Sequence, residues 1–312
     1  MNNYQVSPAL AWVLGGIFAF LTLSSLTFYL LSKKRSGKLL DELRLRTRSW
    51  WYIFMGIAII ALGPSVVGTT IIAYVSFVAL REMFSISGFR EADRVALVAS
   101  YFAIPVQYYL AFHHYMDPFY YFIPLVMSIV IPFILVLTGN TERIGRSMSF
   151  IITVLILTIY MLSHIALLFN LEIPGYTVGA GGLLLYLIVL TGFNDVFQFI
   201  WGKWLGKRKI LPKVSPNKTW EGFLGGIMTT AGLGYCIRFL SPFSAGEALI
   251  TGLLIGITGF IGDAILSAIK RDLQLKDTDD LIPGHGGAMD RLDSIVFTAP
   301  VFYHLLNYFI QH

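Results

Sequence analysis

Cysteine is nearly missing from this chain. Cys236 is the single one in 312 residues, which excludes an intramolecular disulfide and any cysteine-rich metal site. It stands inside an apolar run and is expected to be a small buried residue. Charge is scarce as well: charged residues make up 13% of the chain, against roughly 25% in soluble domains. Hydrophobic residues make up 56%, and the mean hydropathy is +0.70. A soluble globular domain is thereby excluded. The chain also lacks a Walker A loop, a low-complexity tract, a long linker and an inverted repeat of the transporter kind. No basic groove with stacking aromatics is visible, so nucleic acid is not an expected partner.

What the chain does have is apolar runs. Roughly 20 apolar residues are needed for a helix to cross a bilayer. Such runs recur at 9–31, 50–63, 65–83, 95–112, 119–138, 147–169, 178–200, 221–240, 246–270 and 293–310. They predict an all-α, polytopic integral membrane protein with about nine to ten transmembrane helices. The first run has no basic residue before it and is longer than a signal-peptide core, and Lys33 to Arg35 follow it, so it is expected to remain as an anchor with the N-terminus outside. Of the 23 Lys and Arg residues, all but Arg238 fall in or beside loops 32–49, 84–94, 139–146, 201–220 and 271–292. Alternate crossings place those loops on one side, which the positive-inside rule makes cytoplasmic. The count works only if Gly63 and Pro64 break the run from Trp50 to Phe84 into two helices. The net charge of +5 then belongs to topology and anionic headgroups.

The polar chemistry is loaded late. We divide the chain into N-terminal transmembrane helices, 1–175, and a C-terminal catalytic transmembrane region, 176–312, of one membrane unit. Within the run ending at Lys270 stands Asp263, a carboxylate whose insertion costs roughly 2.5–3.5 kcal/mol unless a partner compensates. An internal salt bridge is the plain explanation. Asp263, Ser267, Lys270 and Arg271 follow i, i+4, i+7, i+8 spacing, which lines them on one helical face and aims them into one cleft. Lys270 lies about 10 Å along the helix from Asp263, too far for a direct ion pair.

Asp290 and Asp293 follow at the start of the last run, flanked by Arg291 and Ser294, and are expected on one side of a helix start. With Asp263 they make a three-carboxylate set suited to a hard cation such as Mg2+. Between them, Pro283 to Gly287 reads PGHGG, where Gly286 and Gly287 allow backbone to approach an anion. His285 alone is more often a hydrogen-bonded structural residue. Upstream, Ser215, Lys218, Thr219 and Glu221 abut a helix start at Trp220, an arrangement that binds phosphate. Lys207, Arg208 and Lys209 read as membrane anchoring. Asn194 and Asp195 end the preceding run on the same side and add a candidate metal or base contact. His113, His114 and Asp117 lack transferable zinc spacing and read as interfacial.

Ser267-Ala-Ile-Lys270-Arg271, then Lys276-Asp277, then Ile282 to Asp293 as IPGHGGAMDRLD resembles the signature of the phosphatidate cytidylyltransferases, also called CDP-diacylglycerol synthases. Ser215-Pro-Asn-Lys218-Thr219-Trp-Glu221-Gly222 and Asn194-Asp195 ahead of Gly202-Lys203 extend the resemblance, which covers about 190–300 by motif. It implies transfer of cytidylyl from CTP to phosphatidate, giving CDP-diacylglycerol and pyrophosphate with Mg2+ required. The family's paired-metal site, of which the second ion is unidentified, matches Asp263, Asp290 and Asp293 here. Lys270, Arg271 and Lys218 would meet phosphate charge, and Ser215 and Thr219 would hydrogen-bond the nucleotide phosphates. Asn194, Asp195, Glu221, Ser267, His285, Gly286, Gly287 and Arg291 complete the expected substrate contacts. The chain departs from the pattern at Leu266, Asp279, Ala288, Gln198 and Phe199, which keeps open the same chemistry on another lipid phosphate, or a lipid kinase. A non-enzymatic lipid transporter is the different-class alternative. The expected setting is the bacterial inner membrane with the site facing the cytoplasm, CTP, phosphatidate and membrane lipids as partners, and homodimerisation left open.

Overall fold

A computed structural model gives the fold and describes residues 7–34, 38–275, 278 and 287–311. The chain is an all-α polytopic membrane protein whose helices follow the apolar runs. The helices are α1 (Pro8–Lys34), α2 (Lys38–Leu62), α3 (Ser65–Ile86), α4 (Arg94–Phe112), α5 (Met116–Leu137), α6 (Ile144–Asn170) and α7 (Ala180–Leu205). Next come a short antiparallel hairpin of β1 (Lys209–Leu211) and β2 (Ser215–Thr219), then α8 (Trp220–Cys236), α9 (Ala245–Asp272), the single turn α10 (Met289–Leu292) and α11 (Ile295–Gln311). Among the described residues, seven helices are long and apolar enough to cross a membrane, and α2 carries a shorter apolar stretch, Thr47–Leu62.

The break at Gly63 and Pro64 stands where the charge count requires it, with Pro64 extended ahead of α3. Two sequence expectations are corrected. The last helix begins at Ile295 after a separate turn of helix, so Asp290 and Asp293 do not share one helix start. Cys236 is exposed, not buried, because it falls on the final residue of α8.

Helix α6 is the centre of the bundle, with 72% of its apolar window buried. Around the later helices, small residues let backbones meet, which is how helices associate where lipid is as apolar as their side chains. A Cβ at Gly226 of α8 would stand 2.3 Å from Gln198 Cγ of α7, and one at Gly262 of α9 would stand 2.6 Å from the Asp293 carbonyl oxygen. Loops that the positive-inside count groups together do meet on one face. Arg90 bonds Asn140 across two loops, Arg271 donates to the Val214 carbonyl of the hairpin, and Glu82 of α3 reaches Ala288. At the opposite end, Tyr176 donates to the Leu240 carbonyl and Asn170 to that of Phe112.

Candidate active site

Where α7, α8 and α9 open toward the basic face, they and β2 line a cleft with Asp195, Ser215, Asn217, Lys218 and Asp263, floored by Phe199, Phe223 and Phe260. Lys218 supplies the partner that Asp263 needs. Its ammonium lies 2.7 Å from Asp263 Oδ2 and 4.3 Å over the Phe260 ring. The Ser267 hydroxyl donates to Asp263 Oδ1 at 3.1 Å. Lys270, out of reach of Asp263, pairs instead with Asp290 at 2.7 Å.

The three expected acids have different partners. Asp290 accepts from Thr278 N–H at 2.9 Å, from the Thr278 hydroxyl at 3.0 Å and from Gly287 N–H at 3.1 Å. Burial pushes its carboxyl up, but Lys270 and the backbone donors outweigh burial and hold it below the usual carboxylate range. Asp293 lies in the turn between α10 and α11, its Oδ1 accepting from Ser294 N–H at 2.8 Å. Burial, then the charges of Asp263 and Asp195, push its carboxyl up, and the Ser294 hydroxyl bonds Asp195 at 3.2 Å and the Gly259 carbonyl at 3.3 Å. Asp195, Asp263 and Asp293 thus share one electrostatic neighbourhood, while Asp290 is held on its own set of donors. Among the described residues, no three acids, histidines or cysteines converge into a ready cation cage. Two ammonium groups stand against Asp263 and Asp290, where a cation would compete with them. The donor chemistry fits a hard cation, because the described residues offer carboxylate and hydroxyl oxygens.

Other expected residues also make local structural contacts. Asn194 is fully buried, accepting from the Thr230 hydroxyl and donating to the Gly256 carbonyl, so its amide ties α7 to α8 and α9. Thr219 is the N-cap of α8, its hydroxyl accepting from Gly222 N–H at 3.1 Å. Glu221 accepts from the N–H groups of Lys207 and Arg208 and so fixes the entry to the hairpin. Arg271 donates to the carbonyls of Val214 and Leu275. Arg291 is exposed on α10. His285 and Gly286 lie outside the described residues. Gly287 is buried, with no room for a side chain: a Cβ there would stand 2.2 Å from Glu82 Oε1.

Glu82 belongs among the site's neighbours and was missed in the sequence reading. It is 2% exposed, and among the described residues its partners are the uncharged donors of Thr278, Ala288 and Met289. The signal was present, since an acid near the end of an apolar run calls for a partner as Asp263 does.

A family model described as the cytidylyltransferase family matches residues 44–309. The chain is 39% identical over 297 residues to the uncharacterized protein YnbB of Escherichia coli strain K12, covering 95% of this chain and 97% of that one. Phosphatidate cytidylyltransferases of Bacillus subtilis and Haemophilus influenzae are each 40% identical over 126 residues. Those two alignments cover 40% and 38% of this chain and 47% and 44% of theirs, so the matched segment spans less than half of either enzyme.

Proposed function

The chain belongs to the cytidylyltransferase family, and on that footing we propose that it transfers the cytidylyl group of CTP to phosphatidate, releasing pyrophosphate and forming CDP-diacylglycerol. The observation that carries the reading is the alternation of acids and ammonium groups at one end of the bundle: Lys218 on Asp263 and Lys270 on Asp290, with Asp195 and Asp293 alongside.

A phosphate monoester is largely dianionic at neutral pH, so its oxygen attacks the α-phosphorus of CTP without a strong base. The new P–O bond forms as the bond from the α-phosphorus to the bridging oxygen breaks, and the electron pair leaves with pyrophosphate. The demand on the protein is alignment and charge neutralisation. Asp263 and Asp293, with Asp195 beside them and Asp290 completing the set, would hold Mg2+, which supplies neutralisation of the triphosphate. Lys218 and Lys270 each exchange a carboxylate for a phosphate oxygen, so an ammonium that stabilises the resting site also binds the nucleotide. Ser215 and Asn217, on the cleft wall, orient the phosphates by hydrogen bonding. The cleft faces the basic side of the bundle, which is the cytoplasmic side by the positive-inside rule.

A second reading keeps this chemistry and changes the lipid phosphate. It draws on Gln198 and Phe199, which line the cleft where the family pattern commonly has Ala and Tyr. The test is a Mg2+-dependent assay of purified protein with CTP labelled at its α-phosphorus and phosphatidate in mixed micelles. Label in the lipid with pyrophosphate released supports cytidylyl transfer. Label only on other lipid phosphates selects the second reading, and CDP released with unlabelled lipid phosphate formed defeats both in favour of a kinase.

A further inference from the structure

We propose that Glu82 is a positioning residue that fixes the turn 287–290 and through it sets Asp290, so that α3 of the N-terminal half forms part of the site. The consequence for turnover rests on the cytidylyl-transfer reading above; the holding of the turn does not.

Glu82 is near the end of α3, distant in sequence from everything it holds. Its Oε2 accepts from Ala288 N–H at 2.6 Å and its Oε1 from Met289 N–H at 3.0 Å. The Thr278 hydroxyl also meets Oε1. Gly287 presses its backbone onto the same carboxylate, leaving no space for a Cβ. A single turn such as α10 has too few internal hydrogen bonds to hold itself, so its geometry is set from outside. The Thr278 hydroxyl lies within hydrogen-bond distance of both Glu82 and Asp290, and its one proton serves one carboxylate at a time. Glu82 and Asp290 are thereby linked through a shared donor, while Lys270 neutralises only Asp290.

A carboxylate suits this place because both oxygens accept. A glutamine keeps the shape but turns one acceptor into a donor facing a backbone N–H, which leaves a buried amide without its partner. An architectural contact alone would alter stability and leave kcat per folded molecule unchanged.

The test uses full-length protein in lipid nanodiscs, comparing wild type, Glu82→Gln, Thr278→Val, the double variant, and, as a control, Glu91→Gln, an exposed acid just ahead of α4 that pairs with Arg94. Amide hydrogen exchange is followed over 287–292, together with kcat and KM for CTP. In Glu82→Gln, exchange at Ala288 and Met289 is expected to rise about 10-fold or more while α9 is unchanged. With it, kcat is expected to fall about 10-fold, with KM for CTP within about twofold. Thr278→Val should give a smaller change, and the double variant should fall short of the sum. Wild-type exchange in Glu82→Gln overturns the proposal, as does faster exchange with unaltered kcat. Should Glu82→Gln exchange faster throughout the molecule, Thr278→Val decides: a rise confined to the turn supports the proposal, and no rise overturns it. If wild type transfers no cytidylyl group to any lipid phosphate, the transfer reading fails and the exchange result alone decides whether Glu82 holds the turn.

Discussion

Asp263 and Lys218 satisfy each other's charge. In a low-dielectric setting an unpaired carboxylate or ammonium is costly, and each here neutralises the other at 2.7 Å. Asp263→Asn keeps the volume and removes the charge that both Lys218 and a metal would use. We expect turnover to fall at least about 100-fold with the protein still folded in the membrane, measured as transfer rate against monodispersity after extraction. Asp293→Asn is expected to behave alike, and near-normal activity in either would remove that residue from the metal set. Under the proposed reading, Lys218→Met should raise KM for CTP more than it lowers kcat, because its ammonium would meet phosphate in the ground state as well as in the transition state. At this scale the sequence was legible at Asp263, which the cost of burial singles out without any structure, whereas Glu82 carried the same signal and was passed over. Partner choice was not legible. The separation of Lys270 from Asp263 excluded one pairing, but that β2 would bring Lys218 to Asp263 is a tertiary fact. Asn194 spends its amide on helix contact, and Thr219, which lines the cleft, accepts the capping bond of α8 with the same hydroxyl.

Elements place these residues through close backbone contact. Gly262 lets α9 lie on the Asp293 carbonyl, and this contact brings the backbone beside Asp263 up to that of Asp293. Gly262→Ala would drive a methyl into that carbonyl and the Phe297 ring, so we expect a loss of about 1–3 kcal/mol from overpacking. Its sign is a lower thermal midpoint accompanied by a raised Mg2+ requirement, because the two acids are moved apart. A lowered midpoint with an unaltered Mg2+ requirement would sever the contact from the metal. Thr219→Val removes the α8 N-cap and should cost about 1 kcal/mol, visible as faster amide exchange at Gly222 and little change elsewhere. Helices were legible because apolar length and the Gly63–Pro64 break are written locally. The β1–β2 hairpin was not, since three and five residues of mixed polarity give no period to read. The separate turn Met289–Leu292 was also missed, because its geometry depends on Glu82, Lys270 and Thr278, all remote from it.

For the whole molecule, a lipid phosphate and a water-soluble nucleotide must meet where a bilayer ends, so a site at one end of the bundle suits the proposed reaction better than one at its middle. The basic loops around 90, 140 and 214 converge at that end, through Arg90 with Asn140 and Arg271 with Val214. Clustered positive charge favours the cytoplasmic leaflet through anionic headgroups. The single native cysteine, which is exposed, makes the orientation directly measurable once it is replaced by serine. Single cysteines at Asn140 and Lys213, both exposed on the basic face, and at Glu172, exposed on the other, would be treated with a membrane-impermeant maleimide. We expect the first two to label in inverted vesicles and Glu172 in right-side-out vesicles. Labelling of Asn140 and Lys213 from opposite sides would contradict the fold itself. Labelling of both from outside would keep the fold but put the cleft away from cytoplasmic CTP, and cytidylyl transfer by this site would then lose its nucleotide.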